Sequence, residues 1–169
     1  MNTNTSVPVF EEIVKAYDAK VYKLCWYLLK NRSDAQYCTQ DIFIAIFQGL
    51  PSFKQESTLN TWIYRISTNK CYEYIRRKKR KKRFGIHVQI DAFFSQTIAS
   101  QQHNPEEIAL AAEKSLFFWK AVEKLPLQQQ IAYTLFNVED MSYQEIAAAL
   151  QTSVSAVESL LFRARRKLA

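Results

Sequence analysis

The chain has 169 residues, 48% hydrophobic and 14% aromatic, enough apolar material for one medium domain or two small ones. Only two Gly and four Pro occur, which argues against strand-and-turn folds and for an all-α protein. The net charge of +7 is local rather than diffuse. Without the eight cations of Arg76–Arg83 the chain would carry 15 basic against 16 acidic residues, so one concentrated patch points to a phosphate-bearing partner, nucleic acid before an anionic membrane.

In chain order, residues 8–30 show a helical period through Phe10, Val14, Tyr17, Val21, Leu24 and Leu28, closed by Asn31. Ser33 is expected to cap a second helix, with Gln36 three residues on in capping-box spacing. Ile42, Ile46, Phe47 and Leu50 form that helix's apolar face, and Pro51 ends it. A third helix is predicted from about Thr58, carrying Leu59, Trp62, Ile63, Ile66 and Ile75 into the basic run YIRRKKRKKR, residues 74–83. Residues 84–104 lack a period and read as a linker whose aromatics, Phe93 and Phe94, are suited to docking. A second helical block opens at Asn104-Pro105-Glu106-Glu107, with a cap, a first-turn proline and an acidic first turn. Its buried stripe is Ile108, Ala112, Leu116, Trp119, Val122 and Leu125, and Pro126 separates it from a helix over residues 127–138.

The C-terminal stretch predicts two short helices. Ser142 and Glu145 form a capping box for residues 143–150, a turn falls at Gln151-Thr152, and Ser153 caps a last helix. Small alanines at the crossing and a short turn describe a helix-turn-helix over 142–167. In such a motif the start of the second helix reaches base edges and its Arg-rich end holds phosphates. Periodicity alone leaves a structural helical hairpin as the alternative.

Cys25, Cys38 and Cys71 are far apart, odd in number and without a C-x-x-C pair. They read as reduced thiols packed in helices. Their spacing, with His87 or His103, fits no zinc template, so no metal or other cofactor is expected. The N-terminus lacks the pattern of a signal peptide, and no apolar run approaches the ~18 residues of a membrane span. Direct membrane insertion is therefore not expected, and neither is a small-molecule substrate. Two scattered His and no carboxylate cluster argue against an enzyme such as a recombinase or nuclease.

The segment AVEKLPLQQQIAYTLFNVEDMSYQEIAAALQTSVSAVESLLFRARRKL resembles the C-terminal promoter-reading domain of bacterial RNA polymerase sigma factors. NRSDAQYCTQDIFIAIFQGLPSF resembles that family's D-A-x-x-x-x-Q-(E/D)-x-F segment, and STLNTWIYRISTNKCYEYIRR its T-W-(L/I)-Y-x-I-(A/S)-x-N segment ending in R-R. The order and spacing match, and the lack of a large insertion resembles the small extracytoplasmic-function subgroup. The resemblance implies two small helical domains: a region-2-like domain over 8–83, a linker over 84–104 and a region-4-like domain over 105–169.

It further implies a sigma factor, which binds core RNA polymerase and directs initiation at promoters by recognising the −10 and −35 elements. Carried over by position, Asp34, Gln40, Asp41, Phe43 and Phe47 would dock on the clamp helices of the largest polymerase subunit, with Phe43 and Phe47 reading equally as core because helical spacing does not separate an inward face from a binding one. Phe53, Lys54, Ser57, Thr58, Trp62, Tyr64, Asn69, Tyr72, Arg76 and Arg77 would meet the −10 DNA. Trp62, on the apolar period, also reads as core, and Lys78–Arg83 as a sequence-blind phosphate clamp. Ser153, Ser155, Glu158, Ser159, Arg163 and Arg166 would meet the −35 DNA, with Arg165 and Lys167 on phosphate or solvent.

The implied partners are core polymerase, promoter DNA and an anti-sigma factor. The implied location is the cytoplasm, at the nucleoid when active or held at the inner membrane by the anti-sigma factor. A stand-alone helix-turn-helix regulator would need a ligand or receiver domain where residues 8–83 stand. The chain departs from the family pattern at Gln151, where Gly is common, at Glu158 and Leu160, where cations are common, and at Tyr37, where an acidic residue is common.

Overall fold

The computed structural model describes residues 9–83 and 117–169, all helix and connecting turn with no strand among them. The expected linker, with Phe93, Phe94, His87 and His103, and the expected helix start at Asn104 lie outside the described residues. So do Ile108, Ala112 and Leu116.

Three helices form the first unit: α1 (Phe10–Leu29), α2 (Arg32–Gly49) and α3 (Leu59–Arg83). α1 opens with the Glu12 carboxylate accepting from the Val9 N–H at 3.3 Å, and closes at Lys30, whose φ of 53° is left-handed. That one residue reverses the chain so sharply that Asn31 already stands at the cap of α2, its Oδ1 accepting from Asp34 N–H at 2.8 Å. The expectation that Ser33 caps this helix is corrected: Ser33 lies inside the first turn. An Asn cap of this kind contributes about 1 kcal/mol. Past α2 a single 3-10 turn holds Leu50–Ser52, with Pro51 supplying its fixed φ. Thr58 caps α3 by accepting from Thr61 N–H at 3.2 Å. The basic run therefore continues α3 as regular helix, with its cations in the last turns, where the helix dipole favours them.

Ile13, Val21, Leu24 and Leu28 of α1, Ala35, Ile42 and Ile46 of α2, and Ile63 of α3 close one core. Each helix contributes residues at i, i+3, i+4 and i+7, the stripe a helix must bury.

The second unit comprises α4 (described over residues 117–123), α5 (Leu127–Asn137), α6 (Tyr143–Leu150) and α7 (Val154–Leu168). The predicted capping box is present: Ser142 N–H donates to Glu145 Oε2 at 2.8 Å, and Glu145 N–H donates to Ser142 Oγ at 3.2 Å. These bonds hold the Glu145 carboxyl below its usual range. α6 ends at Gln151 in the left-handed region, and Ser153 caps α7 by accepting from Ala156 N–H at 3.2 Å. Ala149 and Ala164 are fully buried, small enough for close helix crossing. α6 and α7 thus form the expected helix-turn-helix, with α5 packed against them.

The two units are packed against each other rather than strung apart. α6 lies on α3 and α5 on α1, so Ile63 and Tyr64 share a continuous apolar core with Ile131, Leu135 and Ile146. Polar contacts pin the seam. Tyr64 Oη donates to the Glu139 carboxylate, Lys23 Nζ to Val138 O at 2.9 Å, and Arg65 to Ala148 O at 3.4 Å. At one end the Tyr27 and Trp119 rings lie 4.4 Å apart, with Lys30 Nζ 4.7 and 4.5 Å from their centroids.

Candidate polymerase and nucleic-acid interface

Three outward surfaces remain once the core is accounted for. The first is on α2. Tyr37, Ile44 and Phe47 are 54%, 54% and 60% exposed. With Gln40, Asp41 and Gln48 they recur every three or four residues along one side. Exposed apolar side chains in a row on one helix face, rimmed by polar ones, mark a protein-binding surface. Gln40, Asp41 and Phe47 of the expected docking residues lie on it; Asp41 also pairs with Lys70 at 3.2 Å.

Two expected residues turn inward, and the expectation is corrected for both. Phe43, 9% exposed, packs in the core with its ring 6.4 Å from that of Phe10. Asp34 accepts from Tyr74 Oη at 2.7 Å and from Lys78 Nζ, tying the start of α2 to the basic end of α3. Burial, then the Asp34 carboxylate, push the Tyr74 phenol up, so it stays a donor. Lys78 is accordingly spent on an intramolecular pair rather than free for phosphate. Ile44 was missed by the sequence reading, although a second period running 37, 40, 44, 47 beside the buried one was there to find it.

The second surface is one side of α3 with the loop before it. Asn69, Arg76 and Arg77 are exposed and Tyr72 half-buried. The Arg76 guanidinium lies 5.6 Å over the Tyr72 ring and that of Arg77 lies 5.3 Å over Tyr74. The Phe53 and Trp62 rings stack at 4.9 Å, and Trp62 also backs onto Gly49, where an added Cβ would come within 3.1 Å of the indole. Lys54 and Thr58 are exposed and Ser57 half-exposed at the loop's rim. Trp62 thus packs on both sides while staying half-buried at the surface. Tyr64 does not share this surface in the closed chain: at 2% exposure it is buried against Glu139 of the other unit. Two residues from Trp62 on a helix is about 200° around the axis, the opposite face. Burial first, and then Glu139, raise the Tyr64 phenol far above its ordinary value.

The third surface is the outward face of α7. Ser155, Glu158, Ser159, Arg163 and Arg166 are all exposed, joined by Phe162 at 65%, which the sequence reading passed over. Ser153 is exposed but committed as a cap, and its Oγ lies 3.1 Å from that of Ser155. Arg163 Nε donates to Ser159 O at 3.1 Å. Arg165 turns back, its guanidinium 5.1 Å from the Phe136 ring and donating to Tyr143 Oη at 3.3 Å, so it braces the motif. Leu160, a departure from the family pattern, packs against the core and leaves the outward face unchanged.

Comparison with known proteins places the chain in a class. Residues 13–81 match the family model described as Sigma-70 region 2, and residues 118–168 match Sigma-70, region 4. Both regions in this order define a sigma-70-type initiation factor. The ECF RNA polymerase sigma-E factor of Escherichia coli K12 is 31% identical over 161 residues, covering 94% of this chain and 84% of that protein. The ECF RNA polymerase sigma factor SigE of Mycolicibacterium smegmatis is 29% identical over 163 residues; the match covers 96% of this chain and 61% of that longer protein.

The chain belongs to the extracytoplasmic-function (ECF) sigma factors, which act in promoter-specific transcription initiation by RNA polymerase. Among solved structures, the sigma factor RpoE of Bartonella quintana, in complex with the anti-sigma factor NepR, shares the fold. Its TM-score is 0.72 at 21% identity, covering 94% of this chain and 93% of that one. CnrH in complex with the cytosolic domain of CnrY gives a TM-score of 0.63 at 25% identity, covering 94% and 84%. No helix among the described residues is long and apolar enough to cross a membrane.

Proposed function

We propose that this chain binds core RNA polymerase through the outward face of α2 and directs it to promoters by engaging the −10 element with α3 and its preceding loop and the −35 element with α7. The single observation that carries the reading is the presence of both sigma-70 regions, in order, on units that leave these three faces exposed. On α2, Tyr37, Ile44 and Phe47 supply apolar area to a helical partner such as the clamp helices of the largest subunit, while Gln40 and Asp41 set its register. On α3, Trp62, Phe53 and Tyr72 offer stacking faces to a melted strand at about 1–3 kcal/mol per base, and Asn69, Arg76 and Arg77 hold its backbone. Lys54, Ser57 and Thr58 line the loop where a base would be turned out, a step that costs a few kcal/mol and draws on the polymerase's own contacts.

On α7, Ser155 and Ser159 suit several base edges, Glu158 accepts from cytosine, Phe162 suits a thymine methyl, and Arg163 and Arg166 read guanine or phosphate. The chain acts as an initiation factor rather than as an enzyme, in the cytoplasm where polymerase and promoter meet. An anti-sigma factor is a further proposed partner, since the similar CnrH is found in complex with the cytosolic domain of CnrY.

In-vitro transcription with core polymerase and mapped start sites tests this. Initiation from a defined promoter subset is expected. Tight operator binding as a homodimer, with no effect on core polymerase, would overturn the reading. Arg163→Ala is expected to weaken −35-dependent initiation about 5- to 100-fold, the cost of one base contact, without loss of core binding.

A further inference from the structure

Three thiols that the sequence scatters over 46 residues converge inside the first unit. Cys25 of α1, Cys38 of α2 and Cys71 of α3 are each at most 1% exposed. Cys71 Sγ lies 3.7 Å from Cys25 Sγ and 3.8 Å from Cys38 Sγ, and all three sulfurs fall within 4.8 Å of one another. The point equidistant from three sulfurs so placed is no more than about 2.4 Å from each, while a metal–thiolate bond is about 2.3 Å.

A second feature points into the same place. Thr39, 6% exposed and next to Cys38, buries its Oγ1 without a hydrogen-bond partner. Its side chain lies beside Cys25, within the same buried cluster. Buried hydroxyls are rarely left unused, and a donor to a ligating sulfur is the usual outer support of a thiolate site.

We propose that Cys25, Cys38 and Cys71 form a buried tris-thiolate site for a soft, thiophilic, three-coordinate ion, with Thr39 supporting it as a hydrogen-bond donor to sulfur. Sulfur donors select soft ions over magnesium, calcium or manganese. Zinc prefers four ligands, and no His or carboxylate among the described residues belongs to this cluster. Copper(I) and trivalent arsenic share the required chemistry. With arsenite, three S–H and three As–O bonds break, three As–S bonds form and three waters leave, giving an uncharged complex suited to an apolar core. With copper(I), each thiol that binds as thiolate releases its proton to solvent. No oxidation state changes in either case. The ion would tie together α1, the polymerase-facing α2 and the DNA-facing α3.

The test uses the full-length reduced chain with copper(I), arsenite and zinc(II) in separate titrations, read by thermal unfolding and X-ray absorption. One copper(I) or arsenic per chain, a raised melting temperature and a shell of three sulfurs are expected. Cys71→Ala should weaken that binding at least ~100-fold, and Thr39→Val about 10-fold with the three-sulfur shell retained. Circular dichroism, with Cys25→Ala as a second variant, separates loss of the site from loss of the fold. Copper(I) and arsenite both failing to bind the folded chain, binding unchanged in Cys71→Ala and Cys25→Ala, or a shell of oxygen and nitrogen would each overturn the proposal.

Discussion

Gln151 occupies the left-handed region at φ 53° and ψ 48° in the turn of the helix-turn-helix, where its side chain is exposed. A Cβ in that region costs about 1–2 kcal/mol, and glycine would relieve it at about 0.5–1 kcal/mol of added unfolded-state entropy. Gln151→Gly is therefore expected to raise the unfolding free energy by about 0.5 kcal/mol in denaturant melts, since the cap is made by the backbone N–H; a loss of stability would show that the Gln side chain itself stabilises the turn. This position was legible through the family resemblance, in which glycine is common at the place where Gln151 stands. Lys30 was not. Its burial between the Tyr27 and Trp119 rings, opposed in part by Glu123, lowers the ammonium to about 8. Between that value and the ordinary 10.5, the unfolded chain binds more protons at this site than the folded one, so its contribution to stability rises with pH across that window; below about 8 the burial cost is fully present. The stability of the wild type relative to Lys30→Met should accordingly improve from about pH 7.5 to about pH 9.5 in parallel thermal melts. A pH-independent difference would show that the ammonium is not desolvated.

At the scale of the element, helix α2 carries two apolar stripes with different tasks. Phe43 belongs to the inner one and Ile44 to the outer, adjacent in sequence but about 100° apart around the axis. Phe43→Ala is expected to cost about 3–5 kcal/mol of stability. Ile44→Glu should leave unfolding within about 0.5 kcal/mol of wild type while reducing core polymerase affinity ten-fold or more, measured by displacement of a fluorescent sigma factor. Equal loss of stability in both variants would show that the outer stripe is structural. Composition and period identify α2 as amphipathic, but they do not rank its stripes, because an interface and a core use the same side chains. The same holds on α3, where family position grouped Trp62 with Tyr64 although helical geometry sets them on opposite faces.

For the whole molecule, the seam between the two units has a functional consequence. Elements named for positions 25 base pairs apart are separated by about 85 Å of B-form DNA. α3 and α6, which belong to the units proposed to read them, are in contact here, with Tyr64 bonded to Glu139. Both elements cannot be engaged across that seam. Donor and acceptor dyes at exposed positions Lys15 and Lys124 are expected to transfer energy efficiently in the free chain and to lose that transfer in the promoter complex with core polymerase. Undiminished transfer in an active complex would mean that the units stay packed while reading DNA.

The sequence by itself determined the described helices, the caps at Ser142 and Ser153 and the helix-turn-helix, because those follow from neighbours three or four residues apart. The basic run was also readable: it extends a helix, and all but Lys78, which Asp34 holds, point into solvent. Only the tertiary structure decided which aromatic faces outward, that the two units close on each other, and that Cys25, Cys38 and Cys71 share one core site. The physical reason is common to all three. Each depends on pairs of side chains brought together by helix crossing angles and left-handed turns such as those at Lys30 and Gln151, and a spacing along the chain carries no record of where a crossing will put it.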